Sequence, residues 1–424
     1  MKRKTILIIA GGLVLAAAVA FGAVLLVLSR SGHGPVSPFP TTATTALPSY
    51  SPPPSFSPLP PSPSSSPTGT TPPALGAGDW PTYGYDNART RFAADVTLRP
   101  PYRVRWRFRT NDLLEFPPVI AGDRLYFNTG HGYVTCLEAA TGKLVWRFAT
   151  HSKLASSPTM AGGVLYVTSL RRVLFALDGA TGRPLWSYRL GAPSECSPLV
   201  WRDRVIVGAW DGAVYAVDVN THKLAWRYQT GGKVTGSPAL LGDRLVIGSY
   251  SGSIFCLNYN GRRIWSFHAR RYVVTSDKFY ATPALAYRTV YIGSIGSAIY
   301  AIDLQTGNER WVAHTGGWVY SSPAVWRDSV FEGSYDGNLY AVNAATGAVR
   351  WHFSAGRPIS GSPTVLDGVV YFSSLGGRTW GLDCASGRVL WRFDDGRYTP
   401  VTAGLTMLYV SGHHTLYALT PRQR

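Results

Sequence analysis

Trp210 with Asp211, and Tyr335 with Asp336, each set a flat ring beside a carboxylate. A ring to stack on and a carboxylate to take a proton are parts that a cofactor-dependent enzyme needs. Both carboxylates are followed by glycine, however, and Asp-Gly between two strand-like runs is the ordinary sequence of a tight β-turn. The expectation is therefore a turn, and no catalytic residue is assigned. Four histidines, His131, His151, His413 and His414, stand in loop-like segments and raise the question of a metal. His413 and His414 are adjacent at the start of a strand-like run and would point to opposite faces, which is poor geometry for two ligands of one ion. They read as loop histidines facing solvent, with no metal and no cofactor expected.

The residues better suited to chemistry are suited to binding. From Trp265 to Pro283 is 18 residues where the corresponding intervals have 12, and this insert carries Arg270, Arg271, Tyr272, Lys278, Phe279 and Tyr280. Other loops add Trp210, Tyr250, Trp318, Tyr320 and Tyr335, together with Lys153, Arg171, Arg172, Lys233, Arg357, Arg378 and Arg397. Exposed aromatics among cations have the composition of interface hot spots. Arg270, Arg271, Tyr272, Lys278, Tyr280, Trp210, Tyr250, Trp318, Tyr335 and Arg378 are thus the candidate binding residues. The expected partner is a protein or an anionic envelope polymer, since no nucleic-acid recognition motif is present.

What positions these loops is a repeat. Trp106, Trp146, Trp186, Trp226, Trp265, Trp311, Trp351 and Trp391 follow one another at steps of 40, 40, 40, 39, 46, 40 and 40 residues. A period near 40 holding several short strand-like runs is the signature of propeller blades, each a small four-stranded sheet. Before each tryptophan runs Ala-x-Asp-x-x-Thr-Gly-x-x-x-Trp, as at Ala176, Asp178, Thr181, Gly182, Trp186 and at Ala301, Asp303, Thr306, Gly307, Trp311. The Asp bonds its own downstream backbone to start a turn, and Gly supplies the positive φ that closes it. Trp lays a large ring between blades while the small Ala opposite leaves room.

These residues resemble the pyrroloquinoline quinone repeat family of eight-bladed propellers with its tryptophan-docking motif. The resemblance covers residues 79–424, including the opening Asp79-Trp80-Pro81-Thr82-Tyr83-Gly84. Cys136, Cys256 and Gly381 replace the Ala, His222 replaces the Gly and Ser386 the Thr. The resemblance implies the fold and not the cofactor, because many members are similar to the non-enzymatic outer-membrane assembly lipoprotein. Members that use the quinone have a vicinal cysteine pair and long roofing inserts, and this sequence has neither. The register puts Cys136, Cys196, Cys256 and Cys384 in four different blades, so buried thiols and no disulfide framework are expected. After Trp391 three strand-like runs remain, and the run around Trp106 has no blade before it. The ring is expected to close by pairing that N-terminal strand with the C-terminal three.

Residues 1–4 carry three positive charges and residues 5–28 none, an apolar run that rises roughly 36 Å as a helix and suffices to cross a bilayer. Residues 31–78 hold no charge, and 31 of these 48 positions are Pro, Ser or Thr, the composition of a disordered spacer. The expected plan is all-β: a cytoplasmic tip and signal-anchor helix at 1–30, a disordered linker at 31–78 and an eight-bladed propeller at 79–424. The basic tip keeps the N-terminus cytoplasmic and the propeller outside, in a single-pass cell-membrane protein. Of the net charge of +18, all but the tail's four basic residues belongs to the propeller. Alternating Arg103, Arg105, Arg107 and Arg109 read as an outward row guarding an outermost strand from edge pairing. The functional expectation is a membrane-anchored scaffold without catalysis. The alternatives are a quinone-dependent dehydrogenase and a ligand-sensing head that works through a separate partner.

Overall fold

The computed structural model describes residues 76–269, 277–398 and 401–422. The expected membrane helix at 1–30 and all but residues 76–78 of the expected linker lie outside them, as do Arg270, Arg271 and Tyr272. Among the described residues no helix is long and apolar enough to cross a membrane.

Eight antiparallel sheets make an eight-bladed propeller. Blade 1 sets the pattern, with an innermost strand Val119–Ala121, then Arg124–Asn128 and Tyr133–Glu138, and an outermost strand Leu144–Ala149. The two middle strands of each blade are near-continuous apolar runs because both their faces pack on neighbouring blades, as in Val205, Ile206 and Val207. Outermost strands such as Leu224–Gln229 keep one row of side chains in solvent and so alternate.

The tryptophan motif works as expected and does more. Each small residue pairs directly with its tryptophan, as Ala176 with Trp186, Cys256 with Trp265 and Gly381 with Trp391. Six of the eight rings then lie on the turn glycine of the following blade. A Cβ on Gly182 would stand 2.5 Å from the Trp146 ring, and one on Gly347 2.7 Å from Trp311. At these seams glycine is favoured twice over, for a positive φ and for room. The indole N–H donates across the same seam, from Trp146 to the Gly179 carbonyl at 3.0 Å and from Trp311 to Ala344 at 3.0 Å. Where His222 replaces glycine, its ring stacks on Trp186 at a centroid distance of 5.0 Å. Trp391 meets Tyr102 edge-on instead, at 5.4 Å.

The ring closes as expected: Tyr102–Arg109 is the outermost strand of blade 8, paired with Thr415–Pro421, and Leu408–Ser411 and Val401–Ala403 complete the sheet. Arg103, Arg105, Arg107 and Arg109 face solvent along it. Pro158, Pro198, Pro238, Pro283, Pro323 and Pro363 stand one residue ahead of the innermost strands. The residue before each is a hydroxyl that stitches blade to blade. The amide of Ser157 donates to Ser197 Oγ, Ser197 to Ser237, Ser237 to Thr282, Thr282 to Ser322 and Ser322 to Ser362, all at 2.9–3.0 Å.

Residues 80–93 cross the channel from blade to blade. Trp80 exchanges backbone bonds with Ile120, Met160 donates to Pro81, Leu240 to Asn87, Leu285 to Ala88, Val325 to Thr90 and Val365 to Arg91. Phe92–Ala93 then adds a fifth, parallel strand to blade 7. This segment uses the inward-facing N–H groups of the innermost strands, which would otherwise be unpaired in the channel.

Candidate functional site: the channel mouth

In every blade the innermost strand begins, and the second strand ends, at the same mouth. A repeated backbone bond ties the two there: Trp210 donates to Pro193, Tyr250 to Lys233, Ile295 to Lys278, Tyr335 to Trp318 and Leu375 to Pro358, at 2.8–3.0 Å. Trp210, Tyr250 and Tyr335 thus hold one position in three blades, while Lys233, Lys278 and Trp318 hold its partner position.

Three residues before the proline position of each blade stand Glu115, Ala155, Glu195, Thr235, Tyr280, Tyr320, Ser360 and Arg397, in that order round the ring. These side chains converge. Tyr280 of blade 5 feels the charges of Glu195, Glu115 and Tyr83, and Tyr335 of blade 6 those of Tyr320, Tyr398 and Glu115. Burial, reinforced by the neighbouring Glu195, pushes the Glu115 carboxyl up to about 8. Glu195 is pushed up to about 7, again by burial, against the opposing pull of Lys233 and Trp210. The Trp210 indole N–H is buried close to this carboxyl but falls short of hydrogen-bond geometry.

One wall of the well is aromatic. Ring centroids run from Tyr250 to Tyr280 at 6.3 Å, Tyr280 to Tyr320 at 5.0 Å, Tyr320 to Tyr335 at 4.8 Å and Tyr335 to Trp318 at 6.2 Å. Lys233 Nζ stands 3.9 Å from the Trp210 ring centre and Lys278 Nζ 5.8 Å from that of Tyr250. The floor is Phe116 edge-on to Tyr83, 6.3 Å apart. Below lies the crossing segment, which bonds the strands several residues further from the mouth. Arg91 packs 4.0 Å from the Tyr83 ring centre, and Arg89, fully buried, donates to the carbonyls of Tyr83, Pro198 and Pro238. Nearby, Glu332 occupies a position that is Phe127, Val167, Val207, Ile247, Ile292, Phe372 or Val410 in the other blades. Burial holds its carboxyl well above the usual range, opposed by a hydrogen bond from Ser321 and the charge of Arg91.

The structure thus brings together Trp210, Tyr250, Lys278, Tyr280, Trp318 and Tyr335 from the sequence reading. It leaves Arg378 apart, paired with Asp394 at 3.0 Å and lying over Trp380. Exposure is lower than expected. Trp318 is 37% exposed, but Tyr250, Tyr280, Tyr320 and Tyr335 are half-buried because they pack on one another along the wall, and Trp210 is half-buried beneath Lys233. Phe279, read as part of a bulging insert, is fully buried against Tyr300 and fills the place that Val234 and Val319 fill in their blades. Asp211 and Asp336 accept hydrogen bonds from the hydroxyls of Tyr215 and Tyr340, a latch within the turn and not a base at the axis. Glu115 and Glu195 were missed by the sequence reading. Their signal was a repeat position that stays at one distance from a proline while its residue type varies freely.

The histidines need one correction. His413 and His414 do not point apart: they lie in a bend ahead of Thr415–Pro421, with ring centroids 3.9 Å apart. His131 and His151 line a separate cavity of about 330 Å³ with Ser152, Lys153, Leu170 and Arg171. There His131 Nδ1 meets Asp112 at 2.5 Å. Burial raises the Asp112 carboxyl, but hydrogen bonds from Thr129, His131 and Leu113 outweigh it and hold the group below its ordinary value. Among the described residues no three His, Cys, Asp or Glu side chains come together to hold a metal ion, and all four cysteines are free and buried.

Comparison with solved structures finds the same ring. BamB from Moraxella catarrhalis superposes with a TM-score of 0.66 at 20% identity, covering 77% of this chain and 99% of that one. A europium-containing methanol dehydrogenase gives 0.71 at 14% identity, with 81% and 98% covered. The quinohemoprotein alcohol dehydrogenase from Comamonas testosteroni gives 0.72 at 14%, with 82% and 81% covered. Identities this low establish the fold alone. No curated protein matches by sequence. The family described as outer membrane protein assembly factor BamB matches residues 101–311, 260–331 and 296–424, nearly the whole propeller, and this chain belongs to it.

Proposed function

We propose that this protein is a non-catalytic scaffold of the cell envelope, held to the membrane by residues 1–30, spaced from it by residues 31–78, and binding a partner protein through the channel mouth. The observation that carries this reading is the aromatic row from Tyr250 to Trp318, flanked by Lys233 and Lys278 and gathered from three blades onto one face. A row of rings with cations at its margin is a contact surface. Membership of a family described as an outer-membrane assembly factor supports an extracytoplasmic setting and a protein partner. The absence of the vicinal cysteine pair that quinone-using members carry sets the dehydrogenase reading second.

The test is positional. A photo-reactive side chain at Trp318 of the full-length protein should give a discrete protein adduct in intact cells, and one at Arg147 or Arg392 on the outermost strands should not. Adducts from the outermost strands alone would place the interface on the blade edges. A polymer adduct at Trp318 would make the partner an anionic envelope polymer. Retention of the quinone after supply with calcium, with oxidation of an alcohol, would replace the scaffold reading by the enzyme.

A further inference from the structure

The cavity of about 330 Å³ at the seam of blades 1 and 2 takes its walls from three chain segments. His131 comes from the turn before Tyr133–Glu138, His151, Ser152 and Lys153 from the connection between the blades, and Leu170 and Arg171 from the turn before Val173–Asp178. Leu170 donates to the Lys153 carbonyl at 3.0 Å, the rung that Tyr250 and Lys233 make in blade 4, so the cavity stands on the same mouth face. Its frame is held by close contacts. Thr150 Oγ lies 2.8 Å from the Gly132 carbonyl oxygen and 2.9 Å from that of Ser152, and a Cβ on Gly132 would collide with the Ser152 carbonyl. Ser152, 6% exposed, accepts from the Arg171 amide through Oγ at 3.0 Å, as Asp112 accepts from the His131 amide at 2.7 Å.

None of the residues lining the cavity is acidic. Asp112 stands behind His131 and engages its Nδ1, so that ring is a wall and not an unpaired cation. His151, Lys153 and Arg171 are exposed, and no hydrogen bond, ion pair or ring contact occupies their side chains among the described residues. In blades 3 and 6 the place of Arg171 belongs to Asp211 and Asp336, each engaged by a tyrosine hydroxyl. His151 is also strained. Its φ is 52°, in the left-handed region, where the equivalent residues of two other connections are Gly231 at 80° and Gly356 at 70°. Holding a non-glycine residue there costs free energy, and such positions gather at binding sites.

We propose that this cavity binds a phosphoryl group, supplied as free phosphate or as the headgroup of an anionic phospholipid. Lysine is a point charge and arginine a planar fork of donors. With the His151 imidazole they approach from two segments, which suits a tetrahedral oxyanion better than a carboxylate, whose two oxygens lie in one plane. The volume is at the small end of ligand pockets and matches one such group with its immediate substituent, not a length of polymer. The site lies apart from the aromatic wall and does not depend on the partner contact proposed there.

The experiment is calorimetric titration of the full-length protein in an uncharged detergent with inorganic phosphate, with glycerophosphoglycerol, the soluble headgroup of phosphatidylglycerol, and with acetate. At least one phosphorylated probe should bind at one site per chain, about tenfold or more tighter than acetate. Lys153→Ala combined with Arg171→Ala should weaken that binding at least about tenfold, the loss expected for hydrogen bonds to a charged group. The melting temperature should stay in place, because both side chains are exposed. Arg147→Ala combined with Arg392→Ala removes the same charge from the outermost strands and should leave binding nearly unchanged. His151→Gly should weaken binding yet melt at the same temperature or higher, since glycine relieves the left-handed backbone. Whichever phosphorylated probe binds tighter names the source, free phosphate or headgroup. Binding of neither probe, acetate binding as tightly as both, or equal losses in the two double variants overturns the proposal.

Discussion

A docking tryptophan joins two blades through three contacts at once: a small residue beside it, a glycine beneath it and a carbonyl that accepts its N–H. Trp311 makes all three, with Ala301, Gly347 and Ala344, and is 8% exposed. Trp311→Ala should destabilise the ring by about 3 to 5 kcal/mol, the usual cost of truncating a buried tryptophan, and a thermal melt will show it. An unmoved transition would contradict the docking role. The axial glutamates act in the opposite sense. The folded-state value of Glu195 lies above its ordinary 4.5, at about 7, so its contribution to stability is fully present below about pH 4.5 and is lost as pH rises to about 7. The difference corresponds to about 3 kcal/mol. Wild type should therefore melt lower at pH 8.5 than at pH 5, and Glu195→Gln should lessen that fall. Coupling to Glu115, pushed up to about 8, extends the window upward. Identical pH dependence in both proteins would show that the carboxyl is not strained by its burial.

At the scale of elements, one strand and one extended segment hold the ring in different ways. Tyr102–Arg109 supplies the fourth strand of blade 8, and without it Thr415–Pro421 is an open edge. Residues 80–93 add no fourth strand, yet they bond to the innermost strands of blades 1, 2, 4, 5, 6 and 7. Deleting residues 79–98 should leave a closed, monodisperse ring that melts well below the parent, because Arg89 is lost while the Pro198 and Pro238 carbonyls that accept from it stay behind. Deleting 79–110 should also open the edge and produce aggregates, measured by light scattering. Equal behaviour of the two deletions would mean that closure does not depend on the paired strand.

For the whole molecule, much of the net positive charge has a structural explanation. Arg107, Arg147, Arg227 and Arg392 on outermost strands each lie 4.8–5.8 Å from an aromatic ring centre on the strand beside them, covering that ring while keeping the edge charged. The charge that remains at the mouth surrounds an acidic centre. A uniformly basic propeller would attract any polyanion by long-range field, whereas a basic rim around paired carboxyls discriminates between charge patterns. The proposed partner contact follows from that contrast.

The repeat was legible because its residues are under local constraint. Turn Asp, turn Gly and docking Trp each answer to neighbours at a fixed spacing, so Trp186, Asp178 and Gly182 announce a blade without reference to the rest of the chain. Ring closure was legible for the same reason, as a strand left over at one end and missing at the other. The serines before the prolines, Arg89 under Tyr83, and Glu115 and Glu195 at the axis were not. Each meets its partners across blades separated by tens or hundreds of residues, as in the bond from Tyr83 to Ser362, and no local pattern records such a meeting. Likewise His413 and His414 have adjacent rings because a bend replaces the extended backbone that would part them. Sequence alone determined how many blades there are, what docks them and where the chain closes, since those depend on spacing. Only the tertiary structure decided which residues share the well, because convergence on an axis is a property of the closed ring and of no segment within it.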